Sequence, residues 1–195
     1  MQFSNTVHQG EVGLLSLDNP FWQFSLRVYA VPAAAAECLD LQRVLAINVN
    51  LLLFCSWIAV SRRVALGATD IRSIESEIHG WHTLAVLRLR KIREQLTPLP
   101  EMQHQEVQAF RRQVLADELH AEQIEQALIF QRAERLSMRQ ESRTVRDIAA
   151  SNIELLCSLS TISKPRENPV SVAKLIEASL AVGEDRPNPA SAADI

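Results

Sequence analysis

The longest apolar stretch of the chain lies in its first third and predicts the first structural element. No charged residue occurs from Val44 to Ser61, and NVNLLLFCSWIAV lies within that stretch. Asn48 can cap a helix there by accepting a hydrogen bond from a free backbone N–H. A helix that stays apolar on all sides to Val60 is about 20 Å long at 1.5 Å per residue, shorter than a bilayer of roughly 30 Å. The pattern predicts the central helix of a soluble bundle, with a membrane-associated helix as the alternative.

Apolar residues on both sides of this segment recur at helical spacing, so further helices are predicted. Pro20 suits the first turn of a short helix, because its missing N–H is not needed there, and Pro32 interrupts that helix. A second short helix then precedes the central one. Gly67 is predicted to end the central helix. Thr69 is predicted to cap the next segment, which continues through LRLRKIREQL.

Two long helical segments flank the clearest loop of the chain, TPLPEM, which contains two prolines. The segment after the loop, from Glu101 to about Gln140, has a three-four spacing of apolar residues that suits packing along another long helix. Because the loop is short, the two segments are predicted to form an antiparallel pair. One more helix is predicted over about residues 142–159.

These elements predict an all-α protein, an orthogonal or antiparallel helical bundle with one long antiparallel helix pair and a flexible C-terminal tail. We expect a flexible N-terminus at residues 1–11 and a helical domain at residues 12–160. Beyond Pro165 the composition shifts to Pro, Ser, Ala and Asn, so residues 161–195 are predicted to be mostly disordered. A short helix at residues 170–180 is left open, because VSVAKLIEASL has an amphipathic pattern.

Composition and charge narrow the classes of protein. The net charge is −3, which gives no global attraction to nucleic acid or acidic lipid. The three cysteines are widely spaced and form no C-x-x-C motif, so neither a disulfide framework nor a thiolate metal site is predicted. The N-terminal sequence lacks the basic and apolar regions of a signal peptide. These features favour a cytoplasmic protein without stable membrane insertion, and they predict no cofactor.

Several segments occur together in an order that resembles an uncharacterised family of proteobacterial proteins. The W-x-F-S-L motif begins at Trp22, an Ala-Glu-Cys-Leu segment follows, and the N-V-N-L-L-L motif comes next. Trp81, LRLRKIREQL and AEQIEQAL occur later, so the resemblance covers about residues 12–135. The chain departs from the family pattern at Ala46, where the family has Gly, and at Asn48, where it has Asp. The resemblance implies a small helical cytoplasmic protein of bacteria, in a family without an established activity.

Three side chains before TPLPEM could form a metal site. Glu75, His79 and His82 are four and three residues apart, so a continuous helix would place them on one face. One carboxylate and two imidazoles can hold Zn²⁺ or another divalent ion. Gly80 could bend the helix between the histidines. The favoured interpretation is a solvated helix face, and the three side chains are weak metal candidates.

Arginines recur along the predicted helices after TPLPEM. On one continuous helix, five of them would line a stripe about 21 Å long at 1.5 Å per residue. They are Arg132, Arg135, Arg139, Arg143 and Arg146. Guanidinium groups suit phosphate, so this Arg stripe is a candidate nucleic-acid surface, together with a basic cluster at residues 88–93. Because Glu118, Glu122 and Glu125 form an acidic stripe nearby, the favoured interpretation is a solvated face of mixed charge. The two stripes could also pair between antiparallel copies of the chain.

Most aromatic side chains lie in the first third of the chain. Six of the ten are Phe21, Trp22, Phe24, Tyr29, Phe54 and Trp57. They could wall an apolar pocket, although such residues more often form the core itself. Ser25 and Cys55 are candidate nucleophiles by type alone, because neither has a base nearby in sequence and the chain contains no Gly-x-Ser-x-Gly motif.

The long, polar-faced helices and the lack of a specific catalytic motif favour a non-enzymatic protein-interaction or adaptor module. Such a module would bind a protein partner or form a homo-oligomer. The alternative is a nucleic-acid- or ribosome-associated factor that uses the Arg stripe. A metal-dependent enzyme that uses Glu75, His79 and His82 is the least favoured of the three.

Overall fold

The computed structural model describes residues 14–136, 142–160 and 171–184. Within these ranges the chain is an all-α bundle, as predicted. The helices are α1 (Pro20–Tyr29), α2 (Pro32–Leu45), α3 (Val49–Arg62), α4 (Ala68–Trp81), α5 (Leu87–Leu96), α6 (Gln105–Ala133), α7 (Val145–Leu159) and α8 (Ala173–Glu184). A π-helical turn, His82–Val86, joins α4 to α5, and a 3₁₀ turn, Pro100–Gln103, precedes α6.

The apolar segment forms the central helix of the bundle. Asn48 caps α3 by accepting a hydrogen bond from the backbone N–H of Asn50 (2.8 Å). Every residue from Leu51 to Ala59 is buried, and helices α1, α6, α7 and α8 pack around them. The prediction of a central helix within a bundle is therefore confirmed. No helix in the three described ranges is long and apolar enough to cross a membrane.

The first two helices begin at prolines. Asn19 Oδ1 accepts hydrogen bonds from the backbone N–H groups of Phe21 (3.0 Å) and Trp22 (2.9 Å), and Pro20 occupies the first turn of α1. Pro32 occupies the first turn of α2 in the same way. Both positions tolerate proline because the first N–H groups of a helix have no partner within it. Together, α1 and α2 contact α3.

The central helix ends before Gly67, which has a different role from the predicted one. Arg63 adopts a left-handed conformation (φ 54°) at the C-cap of α3. Asn152 of α7 then accepts a hydrogen bond from one backbone N–H of the following loop (2.8 Å) and donates to one of its carbonyls (3.1 Å). The N–H of Gly67 donates to the Asp70 carboxylate (2.8 Å) at the start of α4. The residue that begins α4 is therefore Gly67 rather than Thr69.

The predicted long antiparallel helix pair is present. α4, the π-helical turn and α5 run without a break, and α6 returns beside them. Trp81 Nε1 donates to the carbonyl of Ala121 (2.8 Å), and Arg111 Nε donates to Thr97 Oγ1 (3.1 Å) nearer the loop. We call α5 together with residues 105–120 of α6 the hairpin. It extends the pair beyond the part of α6 that packs on α3.

Helix α6 is shorter than predicted and ends at Ala133. The N–H groups of Arg135 and Leu136 bond to carbonyls three residues earlier, which closes the helix in a tight turn. α7 has its own start, where Thr144 Oγ1 accepts a hydrogen bond from the N–H of the third helical residue (3.1 Å). The prediction of one helix to about residue 140 is therefore wrong, because each segment has its own terminating hydrogen bonds.

The last described helix, α8, is part of the core. Leu175 and four further residues of α8 are buried, and Glu37 of α2 accepts a hydrogen bond from the N–H of Leu175 (2.9 Å). The short helix left open for residues 170–180 is therefore present and longer than expected. The flexible segments predicted at residues 1–11 and in the remainder of 161–195 lie outside the described residues and stay predictions.

Candidate functional site

A groove lies between the hairpin and the first three helices. α1, α2 and the start of α3 form one wall, and α5 and α6 form the other. The cavity within it has a volume of about 290 Å³. We call this cavity and its rim the groove. Clefts between the helices of a bundle are a common place for ligand binding, so the groove is the candidate site.

The rim of the groove is apolar and exposed. Leu26 and Tyr29 of α1, Leu39 of α2 and Leu119 of α6 line it, and each is at least 40 % exposed. Trp22 is partly buried in the same wall. Single exposed apolar residues are ordinary on a protein surface, but a group of them around one cavity is typical of an interaction site.

Two arginines of α5 and two glutamates of α6 form the charged floor of the groove. Arg90 Nε donates to Glu118 Oε1 (2.9 Å), and Arg90 Nη2 donates to Glu122 Oε1. Arg93 donates to both oxygens of Glu118, through Nε (2.5 Å) and Nη2 (3.2 Å). Charge-assisted bonds of this kind fix the orientation of both guanidinium groups and hold α5 against α6.

The two glutamates of the floor differ in their tendency to ionise. Burial raises the pKa of Glu118, but hydrogen bonds from Arg93 and Arg90 outweigh it, so the pKa lies below the ordinary value. Burial also raises the pKa of Glu122, and the carboxylates of Glu118 and Glu125 add to this effect, so its pKa is raised although Arg90 acts against the shift. Glu118 is therefore committed to its ion pairs, whereas Glu122 ionises less readily.

A pair of buried amides connects α3 to α6 at the groove. Gln126 Nε2 donates to Asn50 Oδ1 (2.8 Å), and both side chains line the groove. Gln126 Oε1 is buried without a hydrogen-bond partner, and so is the hydroxyl of Ser25 on α1. A buried polar atom without a partner costs about 1–3 kcal/mol. A bound group that offers an N–H donor to these oxygens would recover part of that cost.

A second polar contact between α3 and α6 involves Asn48, His82 and Glu125. Asn48 Nδ2 donates to Glu125 Oε1 and lies 3.1 Å from His82 Nδ1. His82 Nδ1 is 2.9 Å from Glu125 Oε2, and Glu125 is fully buried. The N-V-N motif therefore contributes both Asn48 and Asn50 to contacts with α6.

The three metal candidates do not come together. Glu75 and His79 are exposed on α4. His82 turns instead toward Glu125 on α6 (2.9 Å). Within the described ranges, no three His, Cys, Asp or Glu side chains are arranged to hold a metal ion. The contact with α6 separates the imidazole of His82 from the other two candidates.

The arginines of the Arg stripe do not share one helix. Arg132 lies in α6, where it pairs with Glu77 (3.1 Å) and donates to Ser73 (3.1 Å), both on α4. It therefore joins two helices of the bundle. Arg139 lies outside the described residues. The end of α6 and the start of α7 separate the remaining three, which are Arg135, Arg143 and Arg146. Their contact with nucleic acid stays a prediction, without the continuous helix that would align them.

The aromatic residues of the first third divide between the core and the groove. Phe21, Phe54 and Trp57 form a buried cluster with ring centroids 5.4, 5.7 and 5.9 Å apart. Trp22 and Tyr29 instead line the groove. Both interpretations of the aromatic set, as core and as pocket wall, therefore apply to different members.

The two candidate nucleophiles differ in position. The hydroxyl of Ser25 faces the groove wall without a hydrogen-bond partner, so no base activates it. Cys55 lies in the core, where burial raises the pKa of its thiol far above the ordinary value. A thiol that stays protonated is a poor nucleophile.

The charged floor brings together two clusters that the sequence shows separately. Arg90 and Arg93 belong to the basic cluster before TPLPEM, and Glu118 and Glu122 belong to the acidic stripe after it. In an antiparallel hairpin, residues at similar distances from the loop face each other. The two clusters therefore pair within one chain. Equal distance from the TPLPEM loop is the signal in the sequence that points to this pairing.

Comparison with known proteins identifies the family. No curated protein and no solved structure matches the chain. A family model matches residues 20–129, which is more than half of the 195 residues and includes every residue of the groove. The resemblance to an uncharacterised family is therefore confirmed. The chain belongs to the family described as "Protein of unknown function (DUF2390)".

Proposed function

We propose that this protein is a non-enzymatic interaction module that binds a segment of a partner protein in the groove. The apolar rim is the observation that carries the proposal, because Leu26, Leu39 and Leu119 surround one cavity and are each at least 44 % exposed. Full burial of a Leu side chain contributes roughly 1.5–3 kcal/mol. A partner segment that covers the rim would gain that contribution several times over.

The charged floor supports the same proposal by holding one wall of the groove in place. Arg90 and Arg93 both bond to Glu118, so α5 and α6 present the wall in a fixed geometry. The opposite wall belongs to helices that contact the buried helix α3. A surface that is ordered before binding loses less conformational entropy when the partner arrives.

We also propose that the protein works in the cytoplasm. Cys38, Cys55 and Cys157 are free thiols in the structure. Burial is the main reason that the pKa of Cys38 rises to about 12, so this thiol stays protonated. Free, unreactive thiols are typical of proteins in a reducing compartment.

Two substitutions on the hairpin side of the molecule test the proposed function. Leu119→Glu places a carboxylate on the rim, whereas Leu84→Glu places one on a side chain that is 69 % exposed and does not line the groove. A partner is first isolated with the unaltered chain and then purified for calorimetric titration. We expect the partner to bind the unaltered chain and Leu84→Glu equally, and to bind Leu119→Glu at least about tenfold more weakly.

The outcome separates the groove from the rest of the surface. Equal affinities for Leu119→Glu and Leu84→Glu would overturn the groove as the binding site. Loss of binding in both variants would also contradict the proposal, because it would place the contact on the hairpin outside the groove. Circular dichroism of each variant verifies that the helical content is retained.

A further inference from the structure

We infer that the groove receives a cationic side chain, so that the partner segment carries a lysine or an arginine between apolar residues. The groove combines an acidic floor, buried oxygen acceptors without partners and an apolar rim within one cavity. This inference rests on the proposed function, because it names the chemistry of the partner segment that the groove would bind.

The size of the groove favours one side chain over a cofactor. Its cavity of about 290 Å³ lies at the lower end of small-molecule pockets, which span roughly 300–1,000 Å³. The apolar rim continues from the cavity onto exposed parts of α1, α2 and α6. A single inserted side chain would fill the cavity, and its apolar neighbours in the partner would cover the rim.

The floor has more negative than positive side chains. Three glutamates (Glu94, Glu118 and Glu122) and two arginines (Arg90 and Arg93) line the groove. Both guanidinium groups already donate to these glutamates. A partner carboxylate would have to displace one of them and would meet like charge. A cation meets carboxylate oxygens, each of which can accept more than one hydrogen bond.

The polar atoms without partners are also suited to a cation. Gln126 uses its amino group on Asn50, so its oxygen is the end that is left without a partner. The oxygen of Ser25 is in the same position on the opposite wall. An ammonium group offers three donors and a guanidinium offers five, and neither carries an acceptor. Either group matches a site whose available atoms are oxygens.

The aromatic wall adds a third complementary feature. Trp22 and Tyr29 line the groove on α1, across from the carboxylates of α6. A cation over the face of a Trp or Tyr ring is attracted by the electrons of the ring. The alkyl stem of a lysine or arginine also packs well on an apolar wall while its charged end reaches polar groups.

The protonation of Glu122 agrees with this assignment. Burial raises its pKa, and the neighbouring carboxylates Glu118 and Glu125 raise it further, although Arg90 acts against them. A raised carboxyl pKa means that negative charge at this position lacks compensation. A cation inserted beside Glu122 would supply it.

Short peptides test the inference on the unaltered protein. The probe is an acetylated tripeptide amide with lysine between two leucines, compared with versions that carry norleucine or glutamate in the centre. Binding is followed through the indole N–H signal of Trp22 in heteronuclear NMR spectra, which Trp22→Phe assigns. We expect the lysine peptide to shift this signal and to bind at least about tenfold more tightly than the norleucine peptide.

A matched pair of variants locates the charge that is recognised. Glu122→Gln should reduce the affinity for the lysine peptide to that for the norleucine peptide. Glu75→Gln removes an exposed carboxylate outside the groove and should leave the affinity unchanged. Equal binding of lysine and norleucine peptides, preference for the glutamate peptide, or no shift with millimolar lysine peptide would each overturn the inference. The dependence of partner binding on Leu119 is measured separately, so the proposed function would survive that result.

Discussion

Helix α3 and the hairpin are both helical, but they bury very different shares of their side chains. In α3, nine consecutive residues from Leu51 to Ala59 are buried. In the hairpin, α5 buries none of its residues, and residues 105–120 of α6 bury only Val114 and Glu118. α3 contacts helices on several sides, whereas α5 contacts mainly α6 and the adjoining π-helical turn.

This difference separates stability from recognition. Burial of apolar surface is the main favourable term in folding, so α3 and its neighbours supply most of the stability. The charged contacts of the hairpin contribute less, because removing charges from water offsets much of their attraction. We therefore expect the hairpin to open locally at a lower free energy than the body of the bundle. Its ion pairs matter mainly for the geometry of the groove.

The largest effect is expected when side-chain volume is removed from α3. Ile58 is fully buried, whereas Ile92 of α5 is 44 % exposed. Ile58→Ala leaves a cavity and should lower the free energy of unfolding by about 3 kcal/mol. Ile92→Ala should lower it by less than about 0.5 kcal/mol. Urea denaturation followed by circular dichroism measures both. Similar losses in the two variants would break the distinction between the body and the hairpin.

A smaller effect is expected at the charged floor of the groove. Glu118→Gln removes the charge that Arg90 and Arg93 share, and should lower the free energy of unfolding at neutral pH by about 2 kcal/mol. The pKa of Glu118 in the folded protein lies below the ordinary value of 4.5, because arginine hydrogen bonds outweigh the effect of burial. Its stabilising effect is therefore present above that pH and is lost as the pH falls through the folded-state pKa. The difference between the variant and the unaltered protein should shrink on acidification.

Glu94→Gln is the matched control for this prediction. Glu94 lies 3.9 Å from Arg93, but its side chain is 62 % exposed. Exposed ion pairs contribute little, so Glu94→Gln should change the free energy of unfolding by less than about 0.5 kcal/mol. If the loss in Glu118→Gln were the same at every pH in urea titrations, its ionic origin would be contradicted.

The attachment of α8 tests where the stable body ends. A Cβ at Gly183 would lie 2.1 Å from Cγ1 of Val60 on α3. Gly183→Ala therefore needs a displacement and should lower the free energy of unfolding by about 1.5 kcal/mol. Val60→Ala removes the methyl group in the way, so the double variant should lose less than the sum of the single variants. Strictly additive losses in thermal unfolding would show that α8 shifts freely and lies outside the stable body.

Local signals account for the helices that could be predicted. Asn19 and Asn48 cap α1 and α3 through backbone groups two or three residues away, so the residue type and position are enough. The antiparallel pair follows from apolar spacing on both sides of a short proline-containing loop. These features depend on neighbours in sequence, and the structure retains them.

Contacts between distant residues account for what could not be predicted. Asn152 accepts a hydrogen bond from Leu66, 86 residues away, and this contact organises the loop between α3 and α4. Gln126 and Asn50 are 76 residues apart, and they join two walls of the groove. The groove also needs five helices in their final arrangement. Apolar spacing shows which face of each helix is buried, but it does not show which helix covers it.

The smallest effects are expected from two opposite exchanges of alanine and glycine. Ala46, which ends α2 in the body, has a left-handed conformation (φ 52°), which costs a residue with a Cβ about 1 kcal/mol. Ala46→Gly removes that cost but adds freedom to the unfolded chain, so it should raise the free energy of unfolding by about 0.5 kcal/mol. Gly80 lies in α4, which leads into the hairpin, and a Cβ there would meet nothing within 4 Å. Gly80→Ala should therefore also be stabilising, by about 0.5 kcal/mol. Urea denaturation of the two variants and the double variant should give additive gains. A loss of stability in Ala46→Gly would mean that the body carries no backbone strain at this turn.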